Sequence, residues 1–430
     1  MKYLLTILLF LQFSYTSIAQ EKSSIQDSIQ TYFREIKDAT EKGKSLWNMD
    51  LYGPILLVNP ETRDVFSNYS DSANIFSPCK NIYCGHLPKT INIANTSVNW
   101  NGRRWAMIKL PLPADKFERL NLFAHELFHK TQTTLGFPLS NTDNNHLDKK
   151  EGRIYLRLEL EALLKALDAP DVSSARQNIK DALAFRKYRY SLYPGADSTE
   201  NAIELNEGLA EYSGFVLSGR NKEESKTHFE TSIRSFLSNP TFIRSFPYEL
   251  VPVYGYLLQS SDRYWNKKVN MKTRLLDFFI ESFRLSEDNH PNNSVDDLLL
   301  RYNGNAIIVE ENSREAKNNE LIAASKHKFI EQQHFDLSFE AMSISFEYKN
   351  LLPLYNYGTV YPVIRVTDKW GILEVNNGAL MSTNWDKITV SQPNSYDQKE
   401  ITGDGWTLTL NDGYKIVREE TNGNYRIVKK

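Results

Sequence analysis

The sequence has little cysteine: Cys79 and Cys84 are the only two among 430 residues. That excludes a disulfide-built scaffold and a zinc module made of thiolates. It also lacks net charge, because 51 basic and 53 acidic side chains leave −2 at pH 7. No bulk field therefore draws the chain to nucleic acid or to an anionic membrane. There is no repeat of fixed period and no low-complexity tract. The apolar run from Leu4 to Phe13 has ten residues, half of the ~20 that a membrane span needs. Mean hydropathy is −0.48, and the sequence shows no second candidate span.

What is present is a globular composition, 41% hydrophobic and 12% aromatic, which excludes a mainly disordered chain. The length exceeds one compact core of usual size and suits two or three domains. Lys2, the apolar run and Ser17-Ile18-Ala19 together read as an export signal over residues 1–19. No cysteine follows the run, so lipid anchoring has no support. The expected product is exported, periplasmic or extracellular, with no stable membrane span after signal removal. In that setting Cys79 and Cys84, in a loop-like segment, are expected to form a small disulfide.

Periodicity divides the remainder into three stretches, an α+β organisation. Residues 20–112 read as a small N-terminal mixed α/β lobe, with a helix from Ser24 to Ala39 and strands over 54–59 and 105–110. Residues 113–334 are mainly helical, with helices expected at 115–135, 147–167, 173–190, 197–217, 222–236, 273–284, 294–302 and 311–333. From residue 335 to 430 the period becomes two. Strands are expected at 343–348, 359–366, 372–375, 387–390, 406–410, 414–418 and 425–428, with Gly-containing turns such as Asn411-Asp412-Gly413. That is an antiparallel β-domain, a sandwich or barrel.

The chemistry sits in His125-Glu126-Leu127-Phe128-His129. Histidines four residues apart lie on one face of a helix, so both rings can reach one metal ion. Glu126 is angled to the side, where it can hold a water without taking a ligand position. Leu120, Phe123, Ala124, Leu127 and Phe128 make this helix apolar nearly all round, which predicts burial. Zinc needs a third protein ligand and an open position. His146, Glu159 and Glu161 are candidates. Glu207 is preferred, in Leu205-Asn206-Glu207-Gly208-Leu209-Ala210-Glu211-Tyr212, because Gly208 and Ala210 permit close approach. Glu211, one turn on, could hydrogen-bond the far nitrogen of a ligand histidine.

HELFH followed by LNEGLAEY resembles the gluzincins, zinc metallopeptidases that include thermolysin and the aminopeptidase N family. The resemblance covers the two motif helices. It implies a zincin-like catalytic lobe, one Zn2+ per chain on His125, His129 and Glu207, and Glu126 as general base. The chain departs from the family in three ways. Glu207 follows His129 by 78 residues, much further than in those families, so helices between 147 and 190 look inserted. Position 211 holds Glu where thermolysin has Asp. The Gly-Ala-Met-Glu-Asn segment of the aminopeptidase N family is absent, Trp105-Ala106-Met107-Ile108-Lys109 standing in the comparable strand.

The function expected is hydrolysis of peptide bonds in a peptide or protein substrate, by a zinc-activated water and a Glu general base. Tyr254 is the first choice for a donor to the oxyanion, and Tyr248 the second. The alternatives are a zinc hydrolase of a non-peptide amide and a non-catalytic binding protein on a peptidase fold.

Overall fold

A computed structural model describes residues 25–430 except 74, 141, 143, 286–294, 347–350 and 398. The expected export signal over 1–19 lies outside the described residues. The fold is α+β, as expected, and its contacts divide the chain into two units. One takes the residues up to Pro88 with Ile93–Leu135 and Ser213–Gly219; the other takes Lys89–Asn92, Gly136–Tyr212 and Arg220–Lys430.

The first unit opens with helix α1 (25–42). Six strands come next: β1 (Ile55–Val58), β2 (Asp64–Ser67), β3 (Ser77–Cys79), β4 (Ile82–His86), β5 (Thr96–Trp100) and β6 (Arg103–Lys109). They form one sheet in the order β3-β4-β2-β1-β6-β5. β1 and β6 run parallel side by side, Ile55 opposite Ala106. All four β1 residues are buried, which explains a continuous apolar run in place of alternation. The other four strands were not expected, because residues such as Pro78, Gly85 and Asn99 conceal short, half-exposed strands. The expected disulfide is present: Cys79 and Cys84 join β3 to β4 across their hairpin.

Helix α2 (Lys116–Thr131) comes after β6. The Asp115 carboxylate accepts from the Glu118 amide at 2.9 Å and caps it. Phe123 meets Phe33 of α1 with ring centres 6.4 Å apart, and Phe128 meets Trp47 at 5.4 Å. Arg119 binds the Pro113 and Ala114 carbonyls and reaches Glu35, fixing the entry of α2.

The second unit carries α3 (Lys150–Leu167), α4 (Val172–Leu192) and α5 (Ala196–Ile203). A π-turn over Glu204–Gly208 joins α5 to α6 (Leu209–Ser218), so the single helix expected at 197–217 has a wide turn in its middle. Helices α7 (Lys222–Leu237), α8 (Pro247–Leu258), α9 (Leu275–Ser282), α10 (Val295–Arg301) and α11 (Gly304–Lys326) complete the layer. Helix α8 was not expected. Pro252 lies inside it, and Val251 and Val253 are poor helix formers, yet Leu250, Val251, Val253 and Tyr254 are wholly buried. Tertiary burial overrides local propensity there.

From His334 the chain forms two sheets. One has seven strands: β7 (His334–Ser338), β9 (Leu352–Pro353), β10 (Thr359–Tyr361), β13 (Ala379–Met381), β14 (Lys387–Ser391), β18 (Tyr414–Arg418) and β19 (Tyr425–Lys429). The other has six: β8 (Ser343–Phe346), β11 (Ile364–Asp368), β12 (Gly371–Val375), β15 (Pro393–Tyr396), β16 (Glu400–Gly403) and β17 (Trp406–Leu410). Pairing is antiparallel except for β19 on β7. The strand expected over 359–366 is two, separated at Pro362. Residues 347–348 of another expected strand lie outside the described set. Phe335, Leu337, Val366, Leu373, Ile388, Val390 and Leu408 are fully buried. Ile322 of α11 and Phe329 pack with Leu354, Val360 and Leu380, so the β-region shares a core with the last helix.

Among the described residues no helix is long and apolar enough to cross a membrane.

Candidate metal centre

Helix α2 places His125, Glu126 and His129 in its buried length, at 5%, 4% and 8% exposure. The two rings turn toward each other, and Nε2 of His129 lies 3.0 Å from Nε2 of His125. The far nitrogen of His129, Nδ1, is 2.8 Å from Oε1 of Gln132, which is wholly buried. An oxygen acceptor there makes Nδ1 the protonated nitrogen, so Nε2 keeps its lone pair and points it at His125. His125 can meet that lone pair with an Nε2–H in one tautomer, and in the other both lone pairs are available to a cation. The pair is therefore compatible with a metal site, and it arises within one helix.

The C-terminal end of α2 is held by cations. Arg104 of β6 donates to the His129 carbonyl at 3.2 Å and to Ser97 Oγ at 3.0 Å. Lys130 packs against Gly53, where a Cβ would fall 2.5 Å from Nζ. Burial depresses the Lys130 ammonium pKa below its usual range, with Arg104 adding to that. Positive charge at a helix C-terminus opposes the partial negative charge of its free carbonyls.

Glu207 lies in the π-turn and is half-buried. Tyr248 of α8 donates its hydroxyl to Glu207 Oε2 at 2.7 Å. Asn206 donates to Oε1 at 3.0 Å and to the Ser140 carbonyl at 3.1 Å. The Asn-Glu pair of the motif therefore has a mechanical reading: the amide ties the carboxylate to a loop. Gly208 comes next because α8 is close; a Cβ there would sit 2.4 Å from Val251 Cγ2. Gly214, two turns after Glu207, is equally constrained, with a Cβ position 2.6 Å from the Asn121 carbonyl oxygen of α2. Each glycine lets a neighbouring helix approach. Glu211 is half-buried at the start of α6.

His125, His129 and Glu207 each offer one ligand atom, and these atoms lie within 4.8 Å of one another. Two imidazole nitrogens and one carboxylate oxygen are a donor set that zinc accepts, with one position left open. Gln132 supplies the bond to a far ring nitrogen that Glu211 was expected to supply, at least for His129. It lies three residues beyond His129 on the same face, and that spacing was the available signal. Arg104 had no comparable mark.

The remaining candidates have other partners. Tyr254 is wholly buried and donates to Glu159 Oε1 at 2.8 Å, its ring stacked on Phe279 at 4.7 Å. Burial and the Glu159 charge hold its phenol well above the usual tyrosine range. The structure thus binds the first-choice oxyanion donor into the core, and puts Tyr248, the second choice, on Glu207. Glu159 is itself taken by Arg186 at 2.7 Å and Arg189 at 2.9 Å. His146 Nε2 lies 2.7 Å from Glu200 Oε1. Glu161 is half-buried on α3.

Comparison with protein-family models, with curated proteins and with solved structures found no match for this chain.

Proposed function

We propose that the chain is an exported zinc metallopeptidase of gluzincin type. One observation carries this reading: the facing Nε2 atoms of His125 and His129, with a Glu207 oxygen in the same group. Two imidazoles on one helix face and a carboxylate oxygen are the nitrogen and oxygen donors that zinc takes, so metal binding is chemistry this set suits. Export is supported by the first residues of the sequence.

His125, His129 and Glu207 would hold the ion. A zinc ion there supplies Lewis-acid polarisation of a carbonyl and lowers the pKa of water to ~7. The chain's own groups do the rest. Glu126, adjacent to His125 and buried, takes a proton from the attacking water and passes it to the leaving amine. Gln132 keeps His129 in the tautomer that leaves Nε2 free. Tyr248 and Asn206 hold the Glu207 carboxylate in place. The phenol of Tyr248, seated on Glu207, is also a donor available to a developing oxyanion.

The test is metal content together with hydrolysis of a mixed peptide library. Purified protein should bind about one zinc per chain. Glu126→Gln should keep the zinc and lose nearly all turnover. Glu207→Gln should bind zinc more weakly and recover partly with excess zinc. Absence of any transition metal after reconstitution would overturn the proposal.

A further inference from the structure

The long stretch between His129 and Glu207 includes the α3–α4 hairpin, for which the metal site itself supplies no role. That hairpin carries a buried ionic hub. Glu159 of α3, Arg186 and Arg189 of α4, Glu200 of α5 and Glu204 are all wholly buried. Arg189 is bidentate on Glu200, at 2.9 and 2.6 Å, and reaches Glu159 at 2.9 Å. Arg186 binds Glu159 at 2.7 Å and grips both oxygens of Glu204, at 2.9 and 3.2 Å.

Glu204 is the first residue of the π-turn, and its carbonyl accepts from the Leu209 amide, five residues on. A turn of that kind contains one residue more than an α-helix would, and it occurs mostly where function requires it. The additional residue rotates the downstream helix by about 100° relative to a straight one. Glu207 lies inside the turn, so its direction depends on the turn persisting. Gly208 against Val251 and Asn206 on Ser140 hold the far side. On the near side Arg186 donates one hydrogen bond to Glu204 Oε2 and holds Oε1 as an ion pair, a charged contact that resists rotation.

We infer that Arg186 and Glu204 are positioning residues: the α3–α4 hairpin fixes the π-turn through them and so sets the direction in which Glu207 presents its carboxylate. The inference rests on the zinc reading of Glu207 and deepens it. Neither residue belongs to the proposed ligand set. Both act through three residues of backbone.

The experiment is zinc affinity of the metal-free full chain, measured by competition with a chromophoric chelator, for wild type, Glu204→Gln, Glu204→Ala and Glu204→Asp. Glu204→Gln retains a side-chain oxygen for Arg186 and should stay within ~3-fold of wild type. Glu204→Ala removes the grip and should weaken zinc by ~10- to 100-fold, the range typical of groups that support a metal ligand. Glu204→Asp, one methylene shorter, should fall between and serves if the alanine variant does not fold. Circular dichroism and Tm of the metal-free variants are read in parallel. If Glu204→Ala and Glu204→Asp lower Tm yet bind zinc as wild type does, the hub is only structural and the inference fails. If wild type itself binds no zinc, the failure lies with the metal reading instead.

Discussion

On α2 two imidazoles face each other, nitrogen to nitrogen; in the α3–α4 hub every carboxylate meets a guanidinium. Both clusters are buried in helical surroundings. The hub sets three carboxylates on two guanidiniums, with His146 at its edge, and each carboxylate has an arginine partner. Such a cluster is paired in charge as folded. In the histidine pair no charge is paired with its opposite: the two ring nitrogens share one proton, or turn both lone pairs to an ion. Burial alone therefore does not separate structure from function. The sign of the neighbours does.

That contrast is broken most severely by removing a carboxylate from the hub. Glu159→Ala leaves Arg186, Arg189 and the Tyr254 hydroxyl short of an acceptor in a wholly buried place. The metal-free protein should lose about 3–5 kcal/mol, read from urea unfolding. His125→Ala should cost the metal-free protein less than that, and should abolish the rise in Tm that zinc gives the wild type. Equal losses from the two substitutions would erase the distinction.

The next effect in size is a pH dependence. Burial pushes the Glu204 carboxyl up to about 7, despite Arg186, with Glu200 and Glu159 competing for the same guanidiniums. Glu200 is also buried, but Arg189 and His146 bring it down to about 2. A raised carboxyl binds its proton more tightly folded than unfolded. Its stabilisation is complete below the unfolded value of 4.5 and is lost as pH rises through about 7. For Glu200 the sign reverses: its stabilisation is complete above 4.5 and is lost as pH falls toward about 2. Wild type should thus lose stability as pH rises from about 5 to roughly 8, and Glu204→Gln should flatten that slope. An unchanged slope in Glu204→Gln would place the titrating group elsewhere.

These two clusters also differ in how far the sequence revealed them. The HELFH helix was legible because its pattern is local: both histidines and the Glu fall within little more than one helical turn, and the apolar sheath within about three. Glu207 was legible through its Asn and Gly neighbours, which serve tight packing. The hub was not. Its members come from α3, α4, α5 and the π-turn, and each alone reads as a charge on a helix surface. The surroundings of Tyr254 were hidden for the same reason, since its partner Glu159 lies 95 residues away. The π-turn was hidden because an apolar pattern records which face is buried, not a single additional residue in the winding. Helix α8 was hidden because its prolines argue against the state that burial imposes.

A smaller perturbation probes the glycine contact on α2. Gly214→Ala would place a methyl 2.6 Å from the Asn121 carbonyl oxygen, a backbone atom that cannot swing aside. The cost should be about 1–3 kcal/mol in Tm-derived stability, with α6 displaced from α2. Gly195→Ala is the control for glycine replacement in general. Nothing lies within 4 Å of its Cβ position, but its φ is +87°, so its penalty is conformational strain without a clash. Zinc affinity should drop in Gly214→Ala and hold in Gly195→Ala.

The smallest expected effect is also the most informative about Tyr248. Tyr248→Phe deletes one hydroxyl and keeps the ring. The lost bond, 2.7 Å to Glu207 Oε2, should weaken zinc by about 1–1.5 kcal/mol, since water can reach a half-buried site and replace part of it. A fall of roughly 10-fold in zinc affinity, with turnover per bound zinc little changed, makes Tyr248 a support for the ligand. If turnover per bound zinc falls by roughly 100-fold or more while affinity holds, the hydroxyl acts on the reacting carbonyl. The two results separate because ligand support changes how much metal is held, whereas donation to an oxyanion matters only after the metal and substrate are in place.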